Sequence, residues 1–406
     1  MNKKIIALAI ASLSGAAFAQ SNVTISGIAD VGIEVGNSGY GSKTRVQSGQ
    51  SAGSRLIFKG SEKIDGNMEA FFNLEAGYML DNGQSSNNGS LTQPALAAGP
   101  AAAVGGSGAN VAATGSGSYL FNRTAVLGLK TSVGAFMIGR QYSPMFAIKC
   151  AHDTSACGGA ASMGNTVGMV AGYADRLDNA MSYMVEMNGF SGALAYSSGS
   201  ENNQTTFAGG VGEKDGKAWG MNLKYANGPV SVGWAYHNAR PKTSLPAAIA
   251  TIEDSAKAWL LGGSYDFSMA KVYANYSAGK LENGNFALGG ANGTRLSDRR
   301  AWALGVSMPF GAHSVRFNLG KNDDRLTTDA DFSFWGVHYE YAMSKRTAFY
   351  GIYAAVNNAN RGTAAAPAGA GMSVGSALAT NLLVTSPAQG GNYDPTALQL
   401  GVRHSF

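Results

Sequence analysis

The sequence predicts an all-β fold, a single closed barrel of sixteen antiparallel strands crossing a membrane, and three observations predict it. The first is composition. The 406 residues include 56 glycines and 10 prolines, and only 14% are charged. Apolar residues come in short rows of period two, separated by Gly-, Asn- and Ser-rich stretches, without long amphipathic helical windows. The second is the face opposite each apolar row, which holds Gly, Ala, Ser and Asn with an occasional Arg or Lys. A soluble sandwich would carry dense charge there. Trp and Tyr gather toward the row ends, as expected of strands whose apolar face meets lipid and whose other face lines water. The third is the alternation of short and long connections. Past the N-terminal segment no apolar run approaches the roughly 18 residues of a transmembrane helix, and only a closed barrel satisfies every strand's backbone groups in a bilayer.

The rows are explicit. Trp219, Met221, Leu223 and Tyr225 alternate with Gly220, Asn222 and Lys224. Val230, Val232, Trp234 and Tyr236 alternate with Ser231, Gly233, Ala235 and His237. Trp302, Leu304, Val306 and Met308 oppose Ala303, Gly305 and Ser307, and Val315, Phe317 and Leu319 oppose Arg316 and Asn318. Tight turns are expected at 62–67, 131–134, 187–192, 226–229, 267–270, 309–313 and 343–346. Long connections are expected near 36–53, 80–118, 141–176, 198–216, 238–256, 280–297, 321–330 and 357–394. Seven turns and eight loops make sixteen strands, with both chain ends on the turn side. Residues 80–118 and 358–393 are low in complexity and read as long external loops.

The two ends supply the remaining frame. "MNKK", the apolar "IIALAIASLSG" and the small residues Ala17 and Ala19 read as a cleaved signal peptide over 1–19, leaving one barrel domain at 20–406. Removing Lys3 and Lys4 lowers the formal charge from +5 to +3 (5 − 2 = 3), a surplus too weak to point to nucleic acid. The last residues, "TALQLGVRHSF", alternate up to Phe406. A chain that stops on a strand residue needs a partner for that strand. "NVTISGIADVGIEVG" suits: Val23, Ile25, Val31, Ile33 and Val35 face one way, and Thr24, Ser26, Asp30 and Glu34 the other.

Several segments resemble the general trimeric porins of Gram-negative bacteria, in their β-proteobacterial branch. They are "GSRLIFKGSEKIDGNMEAFFNLEAGY" (53–78), "LFNRTAVLGLKTSVGAFMIGRQYSP" (120–144), "ADRLDNAMSY" (174–183), "YEYAMSKRT" (339–347) and the closing "GVRHSF", spread over the chain in the family's order. The resemblance implies an outer-membrane homotrimer, a third loop folded into each barrel as a constriction, and passive diffusion of small hydrophilic solutes. It implies contact with outer-membrane lipid and lipopolysaccharide, delivery by periplasmic chaperones, and Phe406 as the signal read by the barrel-assembly machinery. His404 stands where many relatives carry an aromatic residue.

In a channel, selectivity comes from charges at the narrowest point. Alternation places Arg55 and Lys59 of the second strand in the lumen, and family position adds Arg123, Arg140 and Arg176. The third loop carries Asp153 and Asp175 opposite them. A basic wall facing a sparsely acidic loop predicts mild anion preference. The competing reading makes some of these arginines structural partners of Glu69, Glu75 or Asp178. Cys150 and Cys157, the only cysteines, read as a disulfide in an exported chain, with a metal site of Cys150, His152, Asp153 and Cys157 as the alternative. That spacing matches no common zinc pattern, and no cofactor is expected. His237 and His338 alternate onto the lumen face, His313 falls in a turn and His404 faces out. No nucleophile–base grouping stands out, so an enzyme is not expected. A substrate-selective channel would show an aromatic track, for which Phe71, Tyr273 and Tyr353 are the candidates. An adhesin would have a plugged bore. The trimer contact is expected on strands one to five and sixteen, through Gly27, Ala29, Gly128 and Gly139.

Overall fold

Alternating rows of this kind close on themselves in the computed structural model, which describes residues 22–37, 42–86, 120–168, 170, 174–199, 217–240, 255–283, 294–325, 331–358 and 394–406. The expected signal peptide at 1–19 lies outside these residues, as does most of the two low-complexity stretches.

The strands are β1 (Asn22–Asn37), β2 (Ser42–Ser48), β3 (Arg55–Asp65), β4 (Met68–Gly77), β5 (Thr124–Thr131), β6 (Gly134–Tyr142), β7 (Arg176–Met187), β8 (Phe190–Ser197) and β9 (Ala218–Asn227). They continue with β10 (Val230–Ala239), β11 (Ser255–Asp266), β12 (Lys271–Asn283), β13 (Thr294–Phe310), β14 (His313–Asp324), β15 (Phe332–Ala342), β16 (Thr347–Asn358) and β17 (Thr396–Ser405). Two helices, α1 (Pro144–Ala151) and α2 (Gly164–Val167), interrupt the third long connection. From β3 onward consecutive strands pair antiparallel, β2 and β3 each pair antiparallel with β1, and β1 pairs with β17 from Ile28↔Ser405 to Asn37↔Thr396, which closes the sheet. Only a closed sheet leaves no edge to pair with another chain.

Seventeen segments fill sixteen places in the wall, because β2 and β3 pair with the same edge of β1. The expected connection at 36–53 is thereby corrected: its residues 42–48 form β2, against Val31–Asn37. "SKTRVQS" lacks a hydrophobic row, and what makes it a strand is the waiting edge of β1. The seven expected turns all join consecutive strands. Asn188 (φ 52°) and Gly189 (φ 82°) between β7 and β8 take the paired left-handed conformations of a tight hairpin.

The barrel turns its hydrophobic residues outward. Val23, Ile25, Leu127, Ile138, Leu223, Leu304 and Leu400 are each more than 45% exposed, where a soluble fold would bury them. Tyr353 belongs to this outer face, beside Trp335 with ring centres 5.3 Å apart, not to the lumen. Gly128 faces inward, where a Cβ would meet the Phe71 ring, and Gly139 pairs with the inner Val126. Neither belongs to the outer surface on which the trimer contact was expected, whereas Gly27 lies on it under the Phe406 ring. "TAVLGLKT" is small and apolar on both faces, so its pattern alone does not orient it.

The buried core lies inside the barrel. Met145 and Ile148 of α1, with Met163, Val167 and Val170, pack against Ala235, Ala258, Leu260, Ala301 and Ala303 of the inner wall. Burying each large side chain contributes roughly 1.5–3 kcal/mol.

Candidate functional site

The third connection is a finger that runs out and back along the inside of the wall. It leaves β6 at Tyr142. Ser143 caps α1, its hydroxyl accepting from the Phe146 N–H at 3.2 Å, and Pro144 occupies the first helical turn. The finger's two ends are tied where Ser143 N–H donates to the Asp175 carbonyl at 2.9 Å.

The wall receives the finger in two ways. Glycines clear its path: a Cβ at Gly233 would stand 2.9 Å from the His152 ring, and one at Gly336 would stand 2.7 Å from the Ala161 methyl. Amides then hold it. Asn222 donates to the Pro144 carbonyl at 2.8 Å, Asn275 to His152 at 2.7 Å, Asn318 to Ala161 at 2.6 Å and Asn322 to Thr166 at 3.2 Å. Ser277 donates to the Val167 carbonyl at 2.7 Å. A helix–turn–helix segment inside a barrel has many carbonyls that helix bonding leaves over, and burial requires each to find a donor. Sequence reading saw these asparagines only as a polar face.

The fingertip is held from within. Cys150 and Cys157 form a disulfide with Cα atoms 5.0 Å apart, so neither thiolate is left for the alternative metal site. Asp153 does not face the bore. It is buried, and its carboxylate accepts from the N–H groups of Ser155, Cys157, Met163 and Gly164 at 3.0–3.2 Å and from the Ser162 hydroxyl. An Asp just ahead of a turn finds such backbone donors locally. Asp175 is ion-paired to Lys149 of α1 at 3.0 Å.

His152 sits between finger and wall. Its Nδ1 lies 3.0 Å from the Ile148 carbonyl and its Nε2 3.0 Å from the Ser231 hydroxyl, which fits a neutral ring donating at Nδ1 and accepting at Nε2. Burial holds its pKa below the ordinary histidine value. The bond to the Ile148 carbonyl opposes that shift, and the charges of Lys224 and Lys271 reinforce it.

Three of the five basic residues come together at the finger's root. Arg55 Nη1 lies 3.2 Å from the Glu75 carboxylate, and Arg123 Nε bonds the same oxygen. Arg123 also donates to the Tyr142 hydroxyl at 2.9 Å, and Arg176 donates to it at 2.8 Å. Tyr142 in turn stacks on Phe146 of α1, ring centres 4.4 Å apart. Three guanidiniums against one carboxylate leave a local charge of +2 (3 − 1 = 2). Lys59, on the same face of β3 two residues below Ile57, is exposed. Arg140 falls on the bulge between Gly139 and Gln141 and is taken up by Asp178 and the Asn122 carbonyl.

A second set of basic residues lies on β12, β14 and β17, and sequence reading missed it. Arg403 of β17 and Arg316 of β14 share Glu340 at 2.8 and 3.4 Å. Lys271 of β12 lies over the Tyr273 ring at 5.3 Å. Alternation puts Arg316 beside Asn318 and Arg403 beside Gln399 on the inner face, and that was the available signal. The positive charge of the lumen therefore extends beyond the finger's root to β12, β14 and β17, and the finger uses Asp153 and Asp175 internally. Phe71 and Tyr273 are inner-facing, but without Tyr353 they make no track.

Comparison with known proteins agrees with this architecture. Residues 6–361 match the family model described as Gram-negative porin. Outer membrane porin protein 32 of Delftia acidovorans is 28% identical over 417 residues, covering 100% of both chains. An outer membrane porin protein of Bordetella pertussis is 26% identical over 397 residues, covering 87% of this chain and 94% of its own. Among solved structures, the anion-selective porin from Comamonas acidovorans superposes with a TM-score of 0.69 at 22% identity, over 95% of this chain and 100% of its own. A sixteen-place closed barrel, a third loop packed against its inner wall and a family match over most of the length lead to one conclusion: the chain belongs to the Gram-negative porin family and forms an outer-membrane channel.

Proposed function

We propose that this porin works as a homotrimer through which small hydrophilic solutes diffuse passively, with anions favoured. The observation that carries the anion preference is the single carboxylate, Glu75, shared by Arg55 and Arg123 beside Arg176. One carboxylate neutralises one guanidinium, and the remaining charge acts on whatever passes. At 4 Å, unit charges interact by about 1 kcal/mol in bulk water and about 4 kcal/mol at an effective dielectric of 20, and salt reduces either figure. The similarity to an anion-selective porin supports the same sign.

Arg55 and Lys59 act as the basic lining of the bore, Arg123 and Arg176 add their charge from buried positions behind it, and Arg140 acts through its pair with Asp178. Nothing in this transport requires a reacting group, and we assign no catalytic role or cofactor. Phe406 serves as the assembly signal, and lipid and lipopolysaccharide cover the outer face. The disulfide keeps the fingertip compact.

Reversal potential across a KCl gradient in a planar bilayer tests the reading. Chloride preference that declines in Arg55→Gln, Arg123→Gln and Arg176→Gln supports it, and potassium preference in the unmodified protein overturns the charge assignment. Openings in groups of three support the trimer. A folded protein without conductance would overturn the channel.

A further inference from the structure

β1 meets two strand segments along one edge, and the lengths do not match. Between Val31↔Ser48 and Ile28↔Arg55 lie two residues of β1, Ala29 and Asp30, and six of the other side, 49–54. Four residues are in excess (6 − 2 = 4), beyond the single extra residue of an ordinary bulge. The excess folds toward the lumen. Arg403, on the inner face of β17, donates to the Ser51 hydroxyl at 3.2 Å, and the Gln50 side chain fills the space over Gly32, where a Cβ would stand 2.4 Å from Gln50 Oε1.

Asp30 organises this segment with nearly every polar atom it has. Its carboxylate accepts from the N–H groups of Gln50, Ser51 and Ala52 at 2.8–3.1 Å and from the Tyr350 hydroxyl at 2.6 Å. Its own N–H donates to Ser54 Oγ at 3.0 Å, and its carbonyl accepts from Gly49 N–H at 2.8 Å. A carboxylate wholly shielded from water is tolerated only with such partners, so the segment and Asp30 specify one another.

The fingertip rests on this segment. A Cβ at Gly158 would stand 2.0 Å from the Ser51 carbonyl oxygen, and one at Gly159 would stand 2.9 Å from that of Gln50. Backbone lies on backbone, at the end of the finger away from its attachment at Tyr142.

We propose that the 49–54 bulge is the seat of the third-loop tip and that Asp30 is the positioning residue fixing how far the loop reaches into the bore. This rests on the reading of the chain as an open channel. A merely stabilising role would change the melting of the barrel and leave the current alone, whereas a positioning role changes the current.

Two full-length variants test it: deletion of 50–53, which leaves two residues opposite two, and Asp30→Asn, which keeps the shape and weakens the acceptor. Unmodified protein and both variants are compared by single-channel conductance, by the size of neutral polymer that still enters, and by hydrogen exchange at 155–163. The expected result is higher conductance, a cut-off shifted to larger polymers and faster exchange, with the deletion exceeding Asp30→Asn. If the unmodified protein conducts and folded variants match it in all three, the proposal is overturned and the channel reading stands. A silent but folded unmodified protein overturns the channel reading first. Should the deletion fail to form a heat-modifiable barrel, Asp30→Asn decides by the same three readouts.

Discussion

The guanidinium of Arg176 lies over the ring of Tyr142, 4.4 Å from its centre, while Arg176 Nη2 bonds the same residue's hydroxyl at 2.8 Å. Because Arg123 donates to that hydroxyl as well, one phenol joins two cations that would otherwise repel. Tyr142→Phe keeps the stack and removes the shared acceptor. Loss of a buried acceptor costs about 1–3 kcal/mol, so the heat-modifiability transition should move to lower temperature while conductance persists. An unchanged transition would show that the hydroxyl does not hold the pair.

Glu75→Gln should strengthen anion preference and Arg123→Gln should weaken it, since the cluster's charge moves from +2 to +3 or to +1. In the bulk-water limit one charge at contact distance is worth about 1 kcal/mol, or up to roughly fivefold in the chloride-to-potassium permeability ratio. Reversal potentials at low and high salt check both signs, and the difference should shrink at high salt.

The buried neutral His152 predicts acid sensitivity. Its pKa in the folded protein is lowered, so the unfolded chain, titrating near 6.5, binds its proton first as pH falls. Stability is then fully present above about pH 6.5 and declines as pH drops toward the lowered value. Open-channel noise should rise over that window. In His152→Gln the rise should be absent, and a rise that persists there would assign it to another group.

Gly336→Val should reduce conductance. Its Cβ would need the space of the Ala161 methyl, and overpacking of this kind costs about 1–3 kcal/mol. The finger can relieve the contact only by moving off the wall and into the bore. Conductance equal to the unmodified protein's would mean the wall yields instead.

Cys150 and Cys157 should resist alkylation until a reductant is added. Closing so short a loop restricts the unfolded state by roughly 2–3 kcal/mol. The Cys150→Ser, Cys157→Ser double variant should therefore show faster hydrogen exchange at the fingertip with the barrel's melting little changed, because the bridge lies within the loop. Alkylation without reductant would overturn the pairing.

The wall was legible in the sequence because its two faces meet different solvents. Leu223 and Leu304 announce lipid, and Asn222 and Asn318 announce the inside. The pattern failed where the faces are alike, at Gly128 and Gly139, and where one residue breaks rank, as Tyr353 does. The basic root was partly legible: Arg55 alternates inward, and Glu75 and Asp178 were foreseeable partners. What the inner asparagines bind was not legible, since an amide facing water and one facing a loop carbonyl carry the same letter. Asp153 was misplaced for a related reason, because backbone N–H groups of a turn compete for a carboxylate and have no signature of their own.

The pairing of β1 with β17 has a kinetic consequence. Val31 meets Val402, so the seam joins residues from opposite ends of the chain, and contacts so distant in sequence form slowly. Until they form, every partial sheet exposes two unpaired edges ready to recruit another copy. A polypeptide released before its final strand is made would be an open ribbon, not a smaller barrel. Closure is thus a checkpoint on completeness: the ring can be finished only by a molecule that already possesses both of its ends.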